Sequence, residues 1–252
     1  MSLLKVSNIN MSYHSEKSET KALSNISFNV ENGDYLSILG PSGCGKSTLL
    51  NILSGLLVPS TGEIIFNGKD ILKREEQIGY MFQKDGLFDW TSVWNNVTLG
   101  LKIKGELTER NKARVLKLLE NYDLLKFKDH KPSELSGGMR QRVALIRTLA
   151  LNPKVLFLDE PFSSLDYQTR LNVCDEIHQI IKLEKKTAIM VTHDIGEAIS
   201  TSNRIIILKK RPGEIKREIT LDFKESLTPF YRRKEKSYND YFNIIWKELQ
   251  DD

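Results

Sequence analysis

The chain has 252 residues, 40% hydrophobic and 28% charged, with a formal net charge of +4, a balance that suits one large globular domain or two small ones. No apolar run approaches the ~18 residues of a membrane-spanning helix. No concentrated basic stripe argues for a nucleic-acid partner.

In chain order, residues 3–11 alternate loosely and predict an early strand. Tyr13 follows, and the polar stretch 14–21 predicts a loop. Residues 22–30 predict a second strand, and Glu31-Asn32-Gly33-Asp34 a turn into the buried strand 35–39. A helix is predicted over 47–57, then strands over 63–66 and 77–82. From Ser92 to about Leu151 the pattern is helical. Ser92 can cap a first helix, Thr108 precedes an amphipathic helix over 110–122, and Ser136 can cap a third over 139–149. Strands return at 155–158 and 187–192 around a helix at 167–184. Two more strands, 204–209 and 214–221, flank Arg211-Pro212-Gly213. The last apolar stripe, Tyr238, Tyr241, Phe242, Ile245, Trp246 and Leu249, predicts a helix packed on its own domain. The start of the chain lacks a basic segment followed by a long apolar run, so no signal peptide is expected.

The stretch Gly40-Pro41-Ser42-Gly43-Cys44-Gly45-Lys46-Ser47-Thr48 fits the phosphate-binding pattern G-x-x-x-x-G-K-[ST] between a strand and a helix. Glycines let the backbone curl around an anion, and the N–H groups at the helix start point at phosphate oxygens. Lys46 adds a point charge, and Ser47 offers a hydroxyl to Mg²⁺. A nucleoside triphosphate is therefore expected. A disulfide from Cys44 would encumber this loop, so Cys44 and Cys174 are expected to be free thiols. Together with four scattered histidines they lack any zinc-type spacing.

Val155-Leu156-Phe157-Leu158-Asp159-Glu160 is an apolar strand ending in two carboxylates, where functional groups of a parallel sheet gather. Downstream of a phosphate loop, Asp159 is expected to meet the Mg²⁺ held by Ser47. Glu160 is expected to orient or deprotonate the attacking water. Taken alone, the same stretch could be a strand with solvated acids. Leu135-Ser136-Gly137-Gly138-Met139-Arg140-Gln141-Arg142 places a capped, glycine-opened helix start where an anion is favoured. Its physics alone is shared by a plain helix cap.

Here a resemblance becomes specific. LSGGMRQR resembles the signature motif of ATP-binding cassette (ABC) ATPases, and the other marks of that family appear in its order. Tyr13 matches the aromatic that stacks on adenine, GPSGCGKST matches Walker A, and Gln83 matches the Q-loop glutamine. VLFLDE matches Walker B with its catalytic glutamate, Ser163-Ser164-Leu165-Asp166 the D-loop, and His193 the switch histidine. The resemblance spans residues 3–220. It implies an α/β fold: a P-loop NTPase core with a RecA-like sheet, an antiparallel β subdomain and an inserted α-helical subdomain. The whole chain, 1–252, would form one nucleotide-binding domain, with the helical subdomain at about 84–151 and a C-terminal helical segment at about 226–250. It further implies ATP and Mg²⁺ as ligands, and Gln83 beside the metal and water. His193 would contact the γ-phosphate and support Glu160. A head-to-tail pair of chains, expected to be a homodimer, would close Ser136, Gly137 and Gly138 of one over the nucleotide at Lys46 of the other.

A finer resemblance concerns cargo. Residues 86–97, GLFDWTSVWNNV, are similar to the LLPW-x-x-V-x-x-NV stretch of importer ATPases for nitrate, aliphatic sulfonates and taurine. Arg211-Pro212-Gly213 matches a turn of that group, while Phe88-Asp89 stands where the group carries Leu-Pro. The expectation is an ATPase at the cytoplasmic face of the cell membrane, driving separate transmembrane permease subunits, with an extracytoplasmic solute-binding protein acting indirectly. The permease's coupling helix would dock near Trp90 and Trp94. An exporter ATPase, and a soluble ABC ATPase of nucleic-acid metabolism, are the rivals. The 86–97 and Arg211–Gly213 features argue against the first. The lack of coiled coils, zinc motifs or a second cassette argues against the other. A kinase or GTPase would leave LSGGMRQR unexplained.

Overall fold

The computed structural model describes residues 2–15, 18–73 and 78–250. Two sheets form its frame. The first is antiparallel, in the order β2 (Ser18–Val30), β1 (Leu4–Ser15), β4 (Thr61–Phe66), β5 (Lys69–Asp70). The second runs β10 (Ile215–Thr220), β9 (Arg204–Leu208), β3 (Tyr35–Leu39), β8 (Thr187–Thr192), β7 (Val155–Asp159), β6 (Ile78–Met81). All its neighbours pair in parallel except β10, which joins the edge antiparallel.

The central strands β3 and β8 are buried along their whole length, as expected for a parallel sheet covered on both faces. Alternate residues then serve different cores. Leu36, Ile38, Phe157, Ile189 and Val191 face the antiparallel sheet and α1 (Lys46–Leu53). Leu156, Leu158, Ala188 and Met190 face the helical side. That side is built from α2 (Val93–Ile103), α3 (Glu109–Asn121), α4 (Gly137–Leu149) and α5 (Tyr167–Leu183). A third core joins Ile205 and Ile207 to α6 (Ile195–Thr201) and α8 (Lys236–Gln250), beyond the short α7 (Pro229–Arg232). Ile245 of the C-terminal stripe is fully buried there, while Trp246 stays half exposed.

Several sequence expectations are corrected. The polar stretch 14–21 is strand where described: Tyr13 pairs with Thr20, His14 with Glu19 and Ser15 with Ser18. Backbone ladder bonds do not need apolar side chains, so the hairpin continues past the core into solvent. The helix after the phosphate loop stops at Leu53 instead of reaching 57. Gly55 takes the left-handed conformation (φ 70°). Its N–H donates to Ile52 O at 3.0 Å and that of Leu56 to Asn51 O at 2.9 Å, closing a Schellman turn. Gln77, placed in a strand by sequence, lies outside the described residues. The hydroxyls of Ser92 and Ser136 accept the N–H three residues on, capping α2 and α4 as expected, and Thr108 caps α3 in the same way.

Candidate functional site

The strand order places the site. β8 lies between the phosphate-loop strand β3 and the acidic strand β7, and β6 lies beyond β7. The carboxyl ends of these four parallel strands therefore deliver the phosphate loop, His193, Asp159 with Glu160, and Gln83 to one edge of the sheet.

The loop after β3 turns into α1 through Gly45, whose φ of 98° side chains rarely adopt. Lys46 is buried, and its ammonium donates to the carbonyls of Gly40 at 2.8 Å and Pro41 at 3.0 Å. Cys44 is buried within the loop and Cys174 in α5, and neither is in a disulfide. A cleft of about 300 Å³ opens over the loop, lined by Ser42, Gly43, Gly45, Lys46, Ser47 and Thr48 together with Tyr13, Thr20, Ala22, Glu160 and Arg211. Tyr13 is 46% exposed, with its hydroxyl 3.2 Å from Thr48 Oγ1. An aromatic face thus stands beside the loop.

Deeper in, Ser47 Oγ donates to Asp159 Oδ1 at 3.2 Å. The Tyr80 hydroxyl lies 2.9 Å from Asn51 Oδ1 and 3.3 Å from Asp159 Oδ2. Its single proton serves one acceptor at a time, and Asn51 is nearer. Burial raises the Asp159 carboxyl above its ordinary value. The bonds from Ser47 and Tyr80 oppose this, and the adjacent Glu160 reinforces it. Burial first, then Asp159, pushes the Tyr80 phenol well up. A hydroxyl beside one such carboxylate fits Mg²⁺, which takes one or two protein oxygens and completes its shell with phosphates and water. Among the described residues no cluster of three or more His, Cys, Asp or Glu offers an all-protein cage.

Glu160 has a positive φ of 44°, and its N–H donates to Val191 O at 3.0 Å. Its Oε2 is the meeting point of the site: Gln83 Nε2 donates to it at 3.3 Å and His193 Nδ1 lies 3.1 Å away. The 163–166 segment turns back beneath it, Ser163 Oγ donating to Glu160 O at 3.0 Å and Asp166 capping α5. Behind His193, Glu197 is almost fully buried and accepts the Thr192 hydroxyl at 2.7 Å. Burial raises its carboxyl to about 7.

Ser136, Gly137 and Gly138 are not among the residues lining the cleft. Ser136 and Gly137 are exposed at the start of α4. Gly138 is buried under α5, where a Cβ would come within 2.8 Å of Val173. One chain therefore brings together the loop, the two acids, Gln83, His193 and Tyr13, and leaves the signature outside.

Sequence reading missed three contributors. Tyr80 sits in a strand with no motif around it. Asn51 lies one helical turn past Ser47. Arg211 donates from Nε to Gly43 O at 3.0 Å. The turn it begins is the mark noted in the sequence as a family trait. Gly213 N donates to Ala22 O and Ser24 N to Gly213 O, both at 2.9 Å. A Cβ on Gly213 would lie 2.2 Å from the Cys44 carbonyl. The turn is thus a buttress under the phosphate loop.

Comparison with known proteins gives the family. The ABC transporter family profile matches residues 23–163. An uncharacterized ABC transporter ATP-binding protein of Bacillus subtilis, YtlC, is 49% identical over 251 residues, 99% of this chain and 96% of its own. The taurine import ATP-binding protein TauB of Jannaschia sp. is 41% identical over 224 residues, covering 88% of this chain and 84% of its own. Among solved structures, the dimeric post-hydrolysis state of the ATP-binding cassette MJ0796 bound to ADP and Pi superposes with a TM-score of 0.73 at 33% identity, covering 88% of this chain and 100% of that one. This chain belongs to the ABC transporter family, as one of its ATP-hydrolysing, ATP-binding subunits.

Proposed function

We propose that the chain energises uptake of a small anion of the sulfonate, taurine or nitrate kind through a separate membrane permease. The observation that carries the catalytic half of this reading is the convergence of Gln83 and His193 on Glu160 Oε2, beside the Ser47–Asp159 pair at the mouth of the phosphate loop. ATP would lie with its adenine against Tyr13 and its phosphates over the 40–48 loop and Lys46. Ser47 and Asp159, with Gln83 close by, would hold Mg²⁺, which when bound neutralises developing phosphate charge. Glu160 would orient the attacking water and accept its proton. His193, whose Nδ1 lies 3.1 Å from the same oxygen, would keep that carboxylate aimed and contact the γ-phosphate.

The site of one chain is half of the working unit. Ser136, Gly137 and Gly138 would cover the nucleotide of a second, identical subunit, in keeping with the exposure of Ser136 and Gly137 and with the place of all three away from the chain's own cleft. The dimeric form of the ADP-bound cassette supports this. No helix among the described residues is long and apolar enough to cross a membrane, so transport calls for another chain. The permease would dock on the helical side near Trp90, which is 75% exposed. Cargo class rests on the taurine-import relative together with the 86–97 stretch.

The experiment has two arms. Purified chain should hydrolyse ATP only with Mg²⁺. A strain lacking the gene should lose uptake of labelled taurine or an alkanesulfonate and regain it from the wild-type gene but not from Glu160→Gln. Hydrolysis with unchanged uptake of each anion would retain the ATPase and reject the cargo.

A further inference from the structure

Gln83 and the 136–138 segment belong to different nucleotide sites in the proposed dimer, yet within one chain they are fastened together. Two residues past Gln83, Asp85 accepts a side-on pair of bonds from Arg140, Nε to Oδ2 at 2.7 Å and Nη2 to Oδ1 at 3.0 Å. The same guanidinium reaches Asp89 through Nη1, 2.7 Å from Oδ1. Arg140 stands in the first turn of α4, two residues beyond Gly138. Two helical turns further along the same face, Arg147 donates to the carbonyls of Asp85 and Gly86, each at 2.7 Å. Between these points Leu87 is buried in the helical core. The fully buried Asn96 of α2 holds Phe88 through both its N–H, at 2.8 Å, and its carbonyl, at 3.1 Å.

A guanidinium that engages two carboxylates at once fixes distance and angle together, which a single ion pair does not. The loop after Gln83 and the start of α4 therefore move as one body. Arg140 touches nothing in the nucleotide cleft. The contacts of Arg140 with Asp85, and of Gln83 two residues earlier with Glu160 Oε2, connect α4 to Glu160.

We infer that Arg140, clamped between Asp85 and Asp89, is a positioning residue that carries closure of one ATP site to the other. This inference rests on the dimer reading above. Closure of Ser136–Gly138 over a nucleotide held by the partner subunit moves α4. The clamp then resets Gln83, which serves Glu160 in this chain's own site. The two sites thereby become cooperative in ATP.

The test is steady-state ATP hydrolysis by the full-length chain across ATP concentration. The variants are Arg140→Gln, Asp85→Asn, the double variant and Arg140→Lys. Lys46→Ala and Glu160→Gln serve as controls for the site itself. Each single neutral variant is expected to lower kcat about tenfold, since small misplacements near the chemistry are costly. Its Hill coefficient should fall to 1, while affinity for a fluorescent ATP analogue stays within about twofold. The double variant should be no worse than either single one, because one device has been removed twice. Arg140→Lys keeps the charge, and so the fold, but cannot engage both carboxylates side-on, and should share the loss of cooperativity. Wild-type cooperativity in Arg140→Lys and Arg140→Gln, or losses that add in the double variant, would overturn the clamp even if both controls behave. A wild-type chain with no ATP hydrolysis would overturn the clamp and the reading beneath it together.

Discussion

Glu197 makes a prediction whose size can be worked from the structure. It is almost wholly buried behind His193, 3% exposed. Its Oε2 accepts the Thr192 hydroxyl, and Arg170 Nε is 3.9 Å from Oε1. Asp194, which caps α6, and His193 also face it. Burial is the largest influence and raises the carboxyl from 4.5 to about 7. The folded chain thus keeps a proton that the unfolded chain has already released. Stability from this group is complete below pH ~4.5 and is lost as pH rises towards 7. The loss is on the order of 3 kcal/mol, from about 1.4 kcal/mol per tenfold change in proton affinity. Glu197→Gln keeps an acceptor for Thr192 and removes the titration. By urea unfolding it should match the wild type near pH 4.5 and be more stable by about 3 kcal/mol at pH 8. His178 works in the opposite direction. It is buried and stacked on Tyr35, and burial, then Arg232, lowers its imidazole from 6.5 to about 4. Its contribution is lost as pH falls below 6.5, so the two groups offset each other in the wild type. Only the difference between variant and wild type isolates Glu197. An equal difference at pH 4.5 and pH 8 would mean that Glu197 does not hold an extra proton in the folded chain.

Two further substitutions probe the cleft. Gly213→Ala places a Cβ against the Cys44 carbonyl. It should cost about 1–3 kcal/mol of stability in thermal unfolding, with a several-fold loss of ATP affinity as the phosphate loop loses its buttress. Wild-type affinity at unchanged stability would contradict that role. Lys46→Ala should weaken ATP binding by at least about tenfold in calorimetry, because a charge-assisted contact to phosphate is removed. Equal affinity would remove Lys46 from the site.

The phosphate loop, the acidic strand end and two helix caps, Ser92 and Ser136, were legible because each is a short pattern with a local physical cause. What stayed hidden was long-range or too short to show a period. α6 has seven residues, all buried, so no amphipathic alternation marks it. The paired residues 14–15 and 18–21 are polar because they extend beyond the core, and polarity alone reads as loop. That residues 83, 160 and 193 share one oxygen follows only from β8 lying between β3 and β7, an order set by tertiary pairing. Arg211 beneath Gly43, 168 residues away in sequence, had no local signal beyond the turn it begins. The clamp of Asp85 and Asp89 on Arg140 was likewise unreadable, although one of its members stands where the group's motif carries a proline.

In the proposed dimer the 40–48 loop is half of an ATP site, completed by Ser136–Gly138 of a second chain. The mass of Glu160→Gln in Mg²⁺-ATP, measured by light scattering during gel filtration, distinguishes this from a site complete in one chain. A particle of twice the chain's mass should form with ATP, retain unhydrolysed ATP and disappear when Ser136→Arg is added. A Glu160→Gln chain that stays monomeric with ATP bound, or that turns ATP over at the wild-type rate, would contradict it.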